Sequence, residues 1–145
     1  MNNVSATGIK AFLIASHTFP TGFWISEFAD DRDAVSVENT QVNETAMGPN
    51  GDMVVWGTPT PIAVQLGVIN GSESDENLRI LFNANRVAKN KASVKDIITL
   101  TVQYPDGRKI ICNNGVLVSG PALPTAVSSS RINGNEYGFR FENVI

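Results

Sequence analysis

Apolar side chains recur at every second position through several stretches of this chain, most clearly from Pro61 to Asn70. There Ile62, Val64, Leu66 and Val68 share one face while Ala63, Gln65 and Gly67 share the other, the pattern of a strand with one face in a core. Ile98, Leu100, Val102 and Tyr104 alternate in the same way, and Pro105-Asp106-Gly107 then predicts a tight turn into a partner strand from Arg108 to Val118. Tyr137, Phe139 and Phe141 predict a last strand near the C-terminus. Gly8 to Ala15, small or apolar with little helical period, predicts a strand buried on much of both faces. A turn at Pro20 to Gly22 and a strand from Phe23 to Phe28 would complete a first hairpin.

The middle of the chain behaves differently. Ala29-Asp30-Asp31-Arg32-Asp33 is a charged loop, after which Val35, Val37, Thr40 and Val42 are interleaved with Ser36, Glu38, Gln41 and Asn43, as in an exposed or edge strand. Met47-Gly48-Pro49-Asn50-Gly51-Asp52 holds two turn signals. Val35 to Thr45 is therefore expected to pair with Met53 to Thr58, making an extended polar arm at about residues 30–52. The period changes once: Leu78, Leu81, Phe82 and Asn85 predict one helix over about residues 73–89, capped by Ser72 or Ser74. Glu73, Asp75 and Glu76 would lie at its positive end and Arg86, Lys89 and Lys91 at its negative end. About eight or nine strands with one helix predict a mainly β fold, an antiparallel β-sandwich or flattened barrel with one flanking α-helix. No linker divides the chain, so 1–145 reads as a single domain.

A chain of 145 residues suits one core, and a charged fraction of 17%, below the usual quarter, suggests that part of the surface is covered. Formal net charge is −3, and the 11 basic residues are read as showing no cluster, which argues against electrostatic binding to nucleic acid or to a membrane surface. One cysteine, Cys112, and one histidine, His17, exclude an internal disulfide and a Cys/His zinc site within one chain. Apolar runs such as Ala11 to Ala15 fall far below the roughly 20 residues of a membrane helix, and no leader is expected at the N-terminus.

Candidate chemistry is thin. His17 has no Gly-x-Ser-x-Gly partner, and Cys112, between Ile111 and Asn113, reads as a small core or interface residue. The Asp30 to Asp33 loop lacks the spacing of a calcium loop, and Gly48-Pro49-Asn50-Gly51 lacks the Lys-Ser/Thr of a phosphate loop. Trp24 and Trp56 would be the stacking platform of a monomeric carbohydrate-binding sandwich, although tryptophans in such segments are more often core or interface residues. The expectation is a protein that is not an enzyme and holds no metal or cofactor. The long β-prone arm leaves edges that need covering, which points to neighbours of the same kind; head-to-tail contacts generate rings, and rings stack.

The succession His17-Thr18-Phe19-Pro20, Glu27-Phe28-Ala29-Asp30-Asp31, Ala46-Met47-Gly48-Pro49-Asn50-Gly51-Asp52, Tyr104-Pro105-Asp106-Gly107 and Tyr137-Gly138-Phe139-Arg140-Phe141-Glu142-Asn143-Val144 resembles a family of small virion proteins of contractile-tailed bacteriophages. These are the tail-tube proteins and the tube-like adaptors that continue the tube into the baseplate. The resemblance implies a homo-oligomer of hexameric, stacked rings around a lumen through which DNA passes without specific binding. It also implies tail tube, baseplate hub, sheath and tape-measure proteins as partners, no membrane, and a place in the virion tail after assembly in the host bacterial cytoplasm. Lumen-facing acids are expected among Asp30, Asp31, Asp33, Glu38 and Glu44, and inter-subunit contacts at Val35, Val37, Met47, Phe139 and Phe141. The tube of a related bacterial contractile injection system is the alternative within this fold.

Overall fold

A computed structural model describes residues 8–30, 33–121 and 133–144. The elements run β1 (Lys10–Ala15), β2 (Phe19–Ile25), β3 (Val35–Val37), β4 (Asn43–Met47), β5 (Met53–Gly57), β6 (Ile62–Val68), α1 (Glu73–Asn85), β7 (Ile98–Gln103), β8 (Lys109–Ser119) and β9 (Asn135–Val144). Seven strands form one antiparallel sheet in the order β2-β1-β7-β8-β9-β6-β3, while β4 and β5 form a separate two-stranded sheet. Past β2 the chain crosses to β6: Phe28 bridges Val68, the Ala29 amide donates to Gly67 O and the Ile69 amide to Glu27 O. The two ends of the strand order are thereby drawn together, and the sheet curls into a flattened barrel.

Alternation puts one face of each strand inside. Ala11, Leu13 and Ala15, Val64, Leu66 and Val68, Ile98, Leu100 and Val102, and Tyr137, Phe139 and Phe141 are all buried. Each large side chain among them contributes roughly 1.5–3 kcal/mol before the entropy of ordering is charged. Gly115 stands opposite Phe141 across the β8–β9 ladder, and the Phe141 ring occupies the space a side chain would need: a Cβ at 115 would lie 2.1 Å from its Cδ1.

The helix is capped by Ser72, whose hydroxyl accepts from the Asp75 amide, and its first turn carries Glu73, Asp75 and Glu76. Leu78 and Leu81 are buried, and Phe82 packs against the same core. Polar contacts hold both helix ends. Asp75 Oδ1 accepts from Asn135 Nδ2 at 2.8 Å and from the Tyr137 hydroxyl at 3.0 Å, and Oδ2 accepts from the Gly71 amide at 3.0 Å. Burial first, then the neighbouring Asp75 charge, push the Tyr137 phenol well above its ordinary range, so it stays a donor. At the other end Asn85 exchanges hydrogen bonds with Asp96, whose carboxylate also accepts from the backbone amides of His17 and Thr18 and from the Thr18 hydroxyl.

These contacts explain where the chain departs from its local signals. Asp96 takes the His17 and Thr18 amides, so the first turn closes before Phe19, and Pro20 and Gly22 fall inside β2 instead of in the turn. Pro20 is tolerated because β2 ends the strand order. The helix stops at Asn85, with Arg86 already extended, so Arg86, Lys89 and Lys91 lie beyond it and its last turn has no basic residue. Val35 and Val37 pair with Leu66 and Val64 of β6, so the paired part of the arm starts at Asn43 and not at Val35.

Gly115→Val is expected to destabilise the fold by about 1–3 kcal/mol or more through overpacking against Phe141, read as a lowered urea midpoint. Burial opposes charge on Asp96 and is the largest single influence on it. The hydrogen bonds from Thr18, Asn85 and the two amides together outweigh it and hold the carboxyl below the usual 3.8. The unfolded chain therefore binds this proton more tightly; the contribution is present above that value and is lost as pH falls through the folded one. Urea titrations between about pH 5 and about pH 2 should show a flatter acid dependence for Asp96→Asn than for the parent chain.

Candidate assembly interface

The arm is built from its root outward. At the root the Thr58 amide donates to Val42 O and the Thr60 hydroxyl to Gln41 O at 2.9 Å, while Pro59 and Pro61 stiffen the return into β6. At the tip the Gly48 amide donates to Asp52 O and the Gly51 amide to Gly48 O, with Gly51 at φ +87°, a conformation that favours glycine. Between them β4 and β5 pair in register, Glu44 opposite Trp56, Thr45 opposite Val55, Ala46 opposite Val54 and Met47 opposite Met53. Trp56 Nε1 donates to Glu44 Oε2 at 2.9 Å.

Nothing in the described chain covers this hairpin: all five residues of β5 are exposed, and Met47 and Met53 keep 67% and 63% of their surface in water. Side chains alternate along the strands, so Met47, Met53 and Val55 face one way and Ala46, Val54 and Trp56 the other. Both faces are apolar. A lone two-stranded hairpin is marginal in water, and exposed apolar surface on both its sides is what a protein keeps for a neighbour.

Of the expected acids, Asp30 and Asp33 are exposed on the crossing between β2 and β3, Glu38 is exposed at the arm's root, and Glu44 is engaged with Trp56 on the arm. Asp31 lies outside the described residues. They lie on three successive segments of the chain: the crossing, the arm's root and the arm. Met47 sits at the arm tip, fully available to a neighbour, and Val37 is 55% exposed on edge strand β3. Val35, by contrast, packs against the core, and Phe139 and Phe141, each 1% exposed, lie inside it. Their alternation marks a buried face, and they share one buried cluster with Leu13, Leu66, Leu78 and Leu100 of this same chain.

A further apolar surface lies on the outer side of the curled sheet. The ladders place Trp24, Phe12, Thr101 and Ile111 in one row across β2, β1, β7 and β8. Trp24 tilts against Phe12 at 4.9 Å between centroids, with Lys10 Nζ 5.0 Å above its ring. Trp24 and Trp56 thus stand on separate sheets, each with its own partner, and make no shared platform. Neither His17 nor Cys112 belongs to a reactive constellation. His17 contributes its backbone amide to Asp96, and burial pushes the Cys112 thiol upward, away from the reactive thiolate. Among the described residues no three His, Cys, Asp or Glu side chains gather as metal ligands, and no helix is long and apolar enough to cross a membrane.

Comparison with known proteins adds four findings and one absence. Residues 2–145 match the family model described as tail fiber protein gp32. By structure, the chain is similar to one in the sheath-tube complex of the PVC extracellular contractile injection system, with TM-score 0.54 and 16% identity over 93% of this chain and 86% of that one. It is also similar to the tube-terminating cap of the anti-feeding prophage, with TM-score 0.57 and 10% identity over 100% and 91%. A chain of the anti-feeding prophage baseplate gives TM-score 0.54 and 10% identity over 100% and 95%. At these identities the likeness is one of fold. No curated protein matches the sequence.

Because the arm stands apart from the core, Val54→Asp combined with Val55→Asp should leave the monomer's stability within about 0.5 kcal/mol of the parent, measured by urea denaturation at low protein concentration.

Proposed function

The chain belongs to the tail fiber protein gp32 family, and from that premise we propose that it is a structural protein of a contractile phage tail, built into rings of the tail tube or of its tube-like extension into the baseplate. A fold in common with tube, cap and baseplate chains of contractile injection systems supports this reading. The observation that carries it is the arm: a hairpin apolar on both faces and covered by nothing in its own described chain requires neighbours. Six-fold rings, stacked coaxially, are the proposed form, with tail tube, baseplate hub, sheath and tape-measure proteins as the other contacts. DNA passes through the lumen without specific binding, since a net charge of −3 repeated around a ring gives a wall that repels the phosphate backbone. The place of action is the virion tail, after assembly in the bacterial host.

Electron microscopy of the purified protein tests this directly. Long filaments are the outcome expected of a tube subunit and isolated rings that of a single-ring extension; a strict monomer at high concentration would sink both. The Val54→Asp, Val55→Asp variant should remain folded and lose the assembly.

A further inference from the structure

Charge sign separates along this chain. From residue 33 to residue 78 there is no lysine, arginine or histidine, and from 79 to 95 there are five basic residues and no acidic one. The arm lies within the first stretch, and residues 86–95 of the loop that leaves α1 for β7 lie within the second. That loop is shaped by its own backbone: Ala88 and Lys91 form a bridge, Asn90 turns at φ +61°, the Val94 amide returns to Ala84 O, and Asp96 anchors its end. It presents Arg86, Lys89 and Lys95, all exposed, around Val87 and Val94, which are 71% and 42% exposed. The arm presents the opposite arrangement. Glu38 at its root and Asp52 at its tip, both exposed, flank the hairpin face that bears Met47, Met53 and Val55.

Each surface has an apolar centre with a rim of one sign, and the signs are opposite. We propose that the arm of one copy docks on the 86–95 loop of the next copy, with Glu38 and Asp52 against Lys89 and Lys95. This rests on the reading that the chain assembles with copies of itself, and it names the surface that receives the arm. A second copy is the occupant because one chain carries both halves of the match. Two arms brought face to face would set acid against acid. Rim charges of this kind steer association and fix register, and they weaken with salt.

The test is a charge exchange. Glu38→Lys with Asp52→Lys reverses the arm, Lys89→Glu with Lys95→Glu reverses the loop, and the quadruple variant restores opposite signs. All four positions are exposed, and near-ultraviolet circular dichroism checks that each variant is folded; the neutral set Glu38→Gln, Asp52→Asn, Lys89→Gln and Lys95→Gln serves if a reversal is not. Sedimentation velocity gives the protein concentration at which assemblies form. Each double reversal is expected to raise that concentration by about tenfold or more, and the quadruple variant to recover most of the loss. Raising salt from about 50 mM to about 500 mM should weaken the parent chain in the same direction. Parent-like assembly by both double reversals, or a quadruple variant no better than either, overturns this contact while self-assembly stands. A parent chain that stays monomeric throughout overturns the reading beneath it.

Discussion

A carboxylate taken out of water must collect donors or give up its charge, and Asp75 and Asp96 are each only 2% exposed. Each gathers its donors from parts of the chain far apart in sequence. Asp75 is met by Gly71, Asn135 and Tyr137, which fixes the start of α1 against β9. Asp96 is met by His17, Thr18 and Asn85, which fixes the end of α1 against the β1–β2 turn and the entry to β7. With both ends held, Leu78 and Leu81 are brought down on the curled sheet and the core is closed. Helix propensity over thirteen residues would not do this alone, since isolated helices of that length are marginal in water.

The same economy of burial makes the arm conspicuous. Every strand of the large sheet that carries a run of apolar residues puts one face of it inside, whereas β4 and β5 place apolar side chains on both faces and bury neither. Evolutionary tolerance of such a surface in a free monomer would conflict with solubility, because a flat hairpin with open edges invites uncontrolled pairing. Controlled pairing in the proposed assembly would resolve that conflict and would account for the low charge fraction of the chain, since surface destined for contact carries few charges.

Strand periodicity made much of this fold legible. Ile62 to Val68, Ile98 to Val102 and the Pro105-Gly107 turn stand where alternation and turn chemistry put them, because each is decided by neighbours in sequence. The positions that moved are those decided by distant partners. The first turn closes where Asp96 supplies an acceptor, the helix ends where Asn85 turns its amide to the same carboxylate, and Val35 to Val37 join β6 through ladder register. Asp75 carries no sequence mark of its role, since an acid in a first helical turn already satisfies the helix dipole. Phe139 and Phe141 show the limit most plainly: alternation says that a face is buried, and it is silent on whether the cover is the same chain or another. The separation of charge corrects the expectation that the basic residues show no cluster: five of the eleven lysines and arginines fall between residues 79 and 95, and the contrast is plain once the acids are followed beside them.

Symmetry draws out what the proposed contact demands. A two-fold dimer buries one patch against itself, so an arm-to-arm dimer would bring Glu38 and Asp52 toward their own copies. An arm seated on the 86–95 loop joins two different patches, and repeating one such contact closes a ring or winds an open helix according to the rotation it imposes. One loop, however, covers only one face of a hairpin. The face bearing Met47, Met53 and Val55 and the face bearing Ala46, Val54 and Trp56 point in opposite directions, so a covered arm has neighbours on two sides. One of those contacts can run around a ring and the other along its axis, which is how a chain with a single protruding arm would build a stack from the same few residues.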